Sequence, residues 1–162
     1  MAHVFRAEWD KTVKVITTFI VILLISIALS ITYKALISGK EFTLAFNFLI
    51  LGILLLTYLY APKCYEITER GVVIVRRIGS IQIPFSAIRR FYGADLGRVG
   101  LRLWGCGGLF GYFGLYSIRG MGRVWVYATK KEVVVIETDS KKYAISPENI
   151  FEFLETLKSK LQ

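Results

Sequence analysis

Residues 54–76 read LLLTYLYAPKCYEITERGVVIVR, and the pattern of the chain changes inside them. Up to Ala61 the residues are apolar or hydroxylic and none is charged. Beyond Pro62 apolar and polar residues alternate through Tyr65-Glu66-Ile67-Thr68, Gly71 marks a turn, and Val72-Val73-Ile74-Val75-Arg76 follows. A period of two is the signature of a strand, whereas an uncharged apolar run of about 20 residues is that of a bilayer-spanning helix. Pro62 cannot extend a helix and sets the boundary. The chain therefore reads as α+β, with a helical part over residues 1–61 and a β-rich domain over residues 62–162.

Toward the N-terminus, residues 42–61 form a run of 20 without a charge and residues 15–33 a run of 19. At 1.5 Å per helical residue each spans about 30 Å. Helices are expected over residues 11–37 and 42–61, joined by Ser38-Gly39-Lys40-Glu41 as a transmembrane hairpin. A cleaved signal peptide fits poorly, because no A-x-A-like site follows the first run and a second apolar run comes at once. Arg6, Lys11, Lys14, Lys63, Arg70, Arg76 and Arg77 flank the outer ends of the pair, against Lys34 and Lys40 at the turn. The bias of basic residues to the cytoplasm predicts a multi-pass protein of the cell membrane with both termini cytoplasmic. Ser26, Ser30 and Gly52 are small residues that would let helices approach closely, although ordinary helix surface explains them equally well. Asn47, the one amide of the two runs, is expected to bond across to the other helix or to a partner subunit.

Toward the C-terminus the strand signals continue. Ile81-Gln82-Ile83 is ended by Pro84, and residues 85–92 read as a bulged strand or a helical turn. Further strands are expected near residues 101–104, 115–118, 124–128, 133–136 and 143–145. Ser146 suits an N-cap, Pro147 the first helical position and Glu148 the positive end of a helix dipole. Ile150, Leu154, Leu157 and Leu161 then form an apolar stripe, with Phe151 beside it. About seven short antiparallel strands and one amphipathic helix predict a small barrel plugged by the helix.

These cues, in order, resemble the bacterial and archaeal PH-like (pleckstrin-homology-like) domain family. The resemblance rests on Tyr65-Glu66-Ile67-Thr68 with Gly71-Val72-Val73-Ile74, then Ile83-Pro84-Phe85-Ser86-Ala87-Ile88. Arg102 with the 105–114 segment, Val126-Tyr127-Ala128-Thr129 and Tyr143-Ala144-Ile145-Ser146-Pro147 before Phe151 and Phe153 complete it. It implies a PH-like barrel beside one or two transmembrane helices. Eukaryotic PH domains often bind phosphoinositides through a long first hairpin loop. The corresponding Glu69-Arg70-Gly71 is short, which speaks against headgroup binding of that kind.

Residues 105–114 read GCGGLFGYFG. No Gly-Lys-Ser/Thr follows, so this is no Walker loop, and the glycine spacing is not the dinucleotide fingerprint. Two readings compete. Glycines allow a tightly curved hairpin whose aromatics fill the core, or Leu109, Phe110, Tyr112 and Phe113 project into the membrane interface or a partner.

Residues 62–162 carry 16 Lys and Arg against 9 Asp and Glu. That surplus is either a solvated basic surface or a face of Arg76, Arg77, Arg89, Arg90, Arg98 and Arg102 laid against anionic headgroups. No carboxylate pair, histidine base or metal-ligand cluster is recognisable, so no enzyme, cofactor or metal site is expected. His3 lies in an N-terminus expected to be mobile. Cys64 and Cys106 read as unpaired thiols, with acylation of Cys64 as the alternative.

The expected function is a non-catalytic, membrane-anchored interaction module or accessory subunit. Its expected partners are the lipid bilayer and a protein or second copy, with no nucleic acid. An anionic-lipid sensor is the alternative, and a membrane-bound enzyme ranks third.

Overall fold

The computed structural model describes residues 3–38, 44–96 and 101–161. Its elements run β1 (His3–Arg6), α1 (Lys11–Ser38), α2 (Leu44–Tyr60), β2 (Pro62–Ile67), β3 (Gly71–Arg76), β4 (Ser80–Pro84) and β5 (Ile88–Asp95). They continue through β6 (Leu101–Gly107), β7 (Tyr112–Ile118), β8 (Gly122–Ala128), β9 (Glu132–Thr138), β10 (Lys142–Ile145) and α3 (Ile150–Leu161). The expected turn between the apolar helices falls at residues 38–41, of which 39–41 lie outside the described residues.

Among the described residues the strands of the expected small barrel pair as two sheets. Backbone pairing gives a four-stranded sheet, β1-β2-β3-β4, and a six-stranded sheet, β5-β9-β10-β8-β7-β6. Pro84, a single 3-10 turn over Phe85–Ala87 and a bulge between Ile88 and Arg90 redirect the chain from the first sheet to the second. Proline removes the amide that a continuing ladder would need. The strand count exceeds the expected seven, and β10 pairs in parallel with β8 while running antiparallel to β9.

His3 is not in a loose tail. It begins β1, which pairs antiparallel with β2 from His3 opposite Ile67 to Arg6 opposite Cys64. Phe5 enters the core and stacks edge-on against Phe153 of α3, with ring centroids 5.1 Å apart. The expected boundary at residue 61/62 is thus crossed by the start of the chain. Alternating His-Val-Phe-Arg is too short to stand out as a strand without its partner.

The main core lies between the sheets and under α3. Tyr65, Ile67, Val72, Ile74 and Ile83 come from the first sheet, Phe113, Val134, Ile136 and Ile145 from the second, and Phe153 and Leu157 from α3. A second apolar cluster, including Val124, Val126, Val133, Val135 and Ala144, lies on the other face of the second sheet. Residues 133–136 are therefore buried on both faces, which is why they form an unbroken apolar run rather than an alternating one.

Helix α3 starts later than expected. Asn149 caps it, its Oδ1 accepting the Glu152 amide at 3.2 Å. Ser146 is fully buried instead, and its hydroxyl accepts the Thr129 amide at 2.7 Å. The buried stripe centres on Phe153 and Leu157, and Phe151 is 71% exposed.

Helices α1 and α2 contact one another, and Asn47 Nδ2 donates to Thr32 Oγ1 at 2.8 Å. By length and composition α1 is apolar enough to cross a membrane, while the described part of α2 is a shorter apolar helix.

Candidate functional site

Side chains from several elements converge where the base of α1 and the end of α2 meet the sheets. Asp10 launches α1. Its carboxylate Oδ1 accepts the Val13 amide at 2.6 Å, a side-chain N-cap, while its own amide donates to the Thr129 carbonyl at 3.2 Å. Thr129 in turn donates through Oγ1 to the Glu8 carbonyl at 2.6 Å, and Glu8 pairs with Lys130 at 3.3 Å. The buried Tyr65 hydroxyl ties β2 to this corner by donating to the Tyr127 carbonyl at 2.7 Å. Burial pushes the Tyr65 phenol strongly upward, so it stays a neutral donor.

The glycine segment is the β6–β7 hairpin, with Gly105 opposite Gly114 and Gly107 opposite Tyr112. Gly105 and Gly114 both take positive φ, at +111° and +124°, and a Cβ on either would fall 2.1–2.2 Å from the opposite backbone oxygen. The ladder closes only because neither has one. The tip, tied by the Gly108 amide donating to the Gly111 carbonyl at 2.9 Å, meets α1. Thr17, buried nearly two turns inside the apolar helix, donates to the Gly108 carbonyl at 3.3 Å and accepts the Phe110 amide at 2.9 Å. Phe110 adopts left-handed backbone, φ +58°, which swings its ring between Trp9 (centroids 5.9 Å apart) and Tyr58 (5.3 Å).

The two readings of this segment therefore divide by residue. Phe113 is buried in the main core and Tyr112 packs against the second cluster. Phe110 packs at the margin of the main core and also reaches Trp9, just before α1, and Tyr58 of α2. Leu109 is half-buried, and its carbonyl accepts the Cys106 thiol at 3.4 Å. Thr17, Trp9 and Tyr58 were missed as partners. The usable signals were a hydroxyl near the start of one apolar run and aromatics near the end of the other.

The six arginines do not lie on one element. Arg76 and Arg77 sit at the β3–β4 turn against α2, Arg77 4.0 Å from the Tyr58 ring centroid and Arg76 5.3 Å from that of Tyr60. Ile78 pins this turn by donating its amide to the Leu59 carbonyl at 3.1 Å. Arg89 grips Asp139 with two guanidinium nitrogens in an exposed pair, and Arg90 is exposed beside it on β5. Arg102 lies on β6, its Nη1 over Gly107. Arg98 lies outside the described residues.

Along α1, the Ser26 and Ser30 hydroxyls bond back to the Ile22 and Ser26 carbonyls, and both residues are exposed in a shallow groove of about 300 Å³. Gly52 does not meet them, since a Cβ there would touch nothing within 4 Å. Among the described residues no group of His, Cys, Asp and Glu is arranged to hold a metal. Cys64 and Cys106 are free thiols that burial keeps above the ordinary thiol range.

Residues 63–161 match the family described as bacterial PH domain. The chain belongs to the bacterial PH domain family. The matched residues take in both sheets from β2 onward and α3, so the family accounts for the body of the molecule but not for β1 or the apolar helices. An uncharacterized protein of Clostridium acetobutylicum is 35% identical over 100 residues, covering 59% of this chain. The match spans 33% of that relative's own length. No solved structure gives a significant match.

Proposed function

We propose that this bacterial PH domain is a membrane-anchored, non-catalytic interaction module, held at the cytoplasmic surface by α1 and α2 with both termini on that side. The observation that supports it most is the junction. Apolar helices that leave Phe19, Ile22, Leu29, Phe48 and Leu51 exposed are bonded to the PH-like body through Thr17, Asp10, Leu59 and Phe110. Such an apolar surface is unfavourable in water and natural in lipid. Basic flanks at Arg6, Lys11, Lys14 and Lys63 suit the cytoplasmic side.

The interaction surface is the outer edge of β6. Leu101 is 75%, Leu103 45% and Trp104 67% exposed on a strand that ends its sheet. An edge strand with exposed apolar side chains is a template for pairing with another chain. Light scattering and mass spectrometry on the full-length protein in mild detergent test this. The expected result is a second copy or a co-purifying protein, lost in Leu103→Lys/Trp104→Glu. A bare monomer in the unmutated protein overturns the reading.

A further inference from the structure

From the β3–β4 turn we infer that Arg76 and Arg77 form a binding site for the phosphate of anionic phospholipids. The inference rests on the anchored reading above, and it adds a ligand to it. Both guanidiniums lie over tyrosines of the last turn of α2, where an apolar helix gives way to the polar domain. That level is where lipid phosphates sit when such a helix is in a bilayer.

The two cations are incompletely satisfied. Arg76 Nε and Arg77 Nη1 are buried without a hydrogen-bond acceptor, and no ion pair among the described residues involves either side chain. Among the described residues no hydrogen bond involves either guanidinium, and the tyrosine rings are their close partners. A partly desolvated cation without a counter-ion is unfavourable, and the tyrosine faces offset only part of that cost. The missing partner is an anion with several acceptor oxygens, reaching the open side of each guanidinium. Phosphate fits the planar donor fork of arginine.

The arrangement also holds both side chains in place. Arg76 donates its amide to the Gly79 carbonyl at 3.2 Å, and a Cβ at Gly79 would come within 3.3 Å of Arg76 Nη2. With Ile78 bonded to Leu59, the turn cannot drift from the helix end. Arg89 makes the contrast, since its charge is already met by Asp139.

The test titrates soluble phosphatidylglycerol onto the full-length protein in discs of phosphatidylcholine. Arg76→Gln and Arg77→Gln are each expected to weaken binding about fivefold, and the pair about 30-fold. Arg89→Gln is expected to bind as the unmutated protein does. Undiminished binding by the double variant, or an equal loss in Arg89→Gln, overturns the site. Competition by inorganic phosphate at matching concentration overturns the lipid as its source. Should the Gln variants fail to fold, Arg76→Lys/Arg77→Lys keeps the charges and loses the planar contacts, and unchanged binding there overturns the proposal. Alkaline extraction separates the two readings. A chain released from membranes defeats the anchor, whereas a chain retained without lipid preference defeats only the arginine site.

Discussion

Thr17 has one hydroxyl and uses it in both directions, giving a proton to the Gly108 carbonyl and receiving one from the Phe110 amide. Valine has the same shape without either capacity. Thr17→Val would leave a backbone donor and acceptor unpaired at a buried contact, a cost of about 1–3 kcal/mol. Thermal unfolding in detergent should show that loss, and Thr17→Ser should restore most of the stability. If Thr17→Val melts like the unmutated protein, the clasp contributes nothing. Tyr116 gives a pH-dependent counterpart. Burial pushes its phenol from 10.0 up to about 12, where its hydroxyl bonds the Cys106 carbonyl. Between those values the folded state keeps a proton that the unfolded chain has lost. Its contribution is therefore complete below pH 10 and disappears as pH rises to about 12. Melting temperatures across this range should fall less steeply in Tyr116→Phe. The buried Tyr65 acts in the same direction and keeps some slope in the variant.

At the scale of elements, the β6–β7 hairpin is decided by absent atoms. Gly114→Ala would place a methyl 2.2 Å from the Trp104 carbonyl oxygen at a φ of +124°, so both the strand pairing and the local conformation must give. The loss should exceed the roughly 1–3 kcal/mol of ordinary overpacking, whereas Gly52→Ala on α2, with open space around it, should be neutral. Melting both variants checks the contrast, and equal stability would show that the hairpin relaxes freely. The sequence signalled this element's curvature through glycines at 105, 108, 111 and 114, but not its destination. A contact between Phe110 and Tyr58 joins residues far apart in the chain, which local periodicity does not encode. Helix α3 shows the same division. Its amphipathic stripe was legible, yet its cap was misassigned, because the Ser146 hydroxyl is taken by Thr129, just past the end of β8. Strand β1 left almost no local trace, since four residues acquire their pattern only opposite β2.

The whole molecule joins two bodies with different solvent requirements through one dense junction. A PH-like body on a flexible tether could orient freely. Here Asp10, Thr17, Leu59 and Phe110 hold it from several directions, so β6 and the β3–β4 turn keep fixed positions relative to the helices. The proposed anchor then makes a geometrical demand. Because Thr32 near the end of α1 meets Asn47 near the start of α2, while Thr17 and Tyr58 both meet the glycine hairpin, the two helices run in opposite directions. The proposed anchor therefore requires Lys34 and the domain to lie on opposite sides of the bilayer. In a cysteine-free background, Lys34→Cys should react with an impermeant maleimide added outside intact cells. Ser140→Cys, in the exposed β9–β10 turn, should react only after permeabilisation. Labelling of both from one side would mean that α1 does not cross. The headgroup site would then lose its lipid, even with every contact at the junction intact.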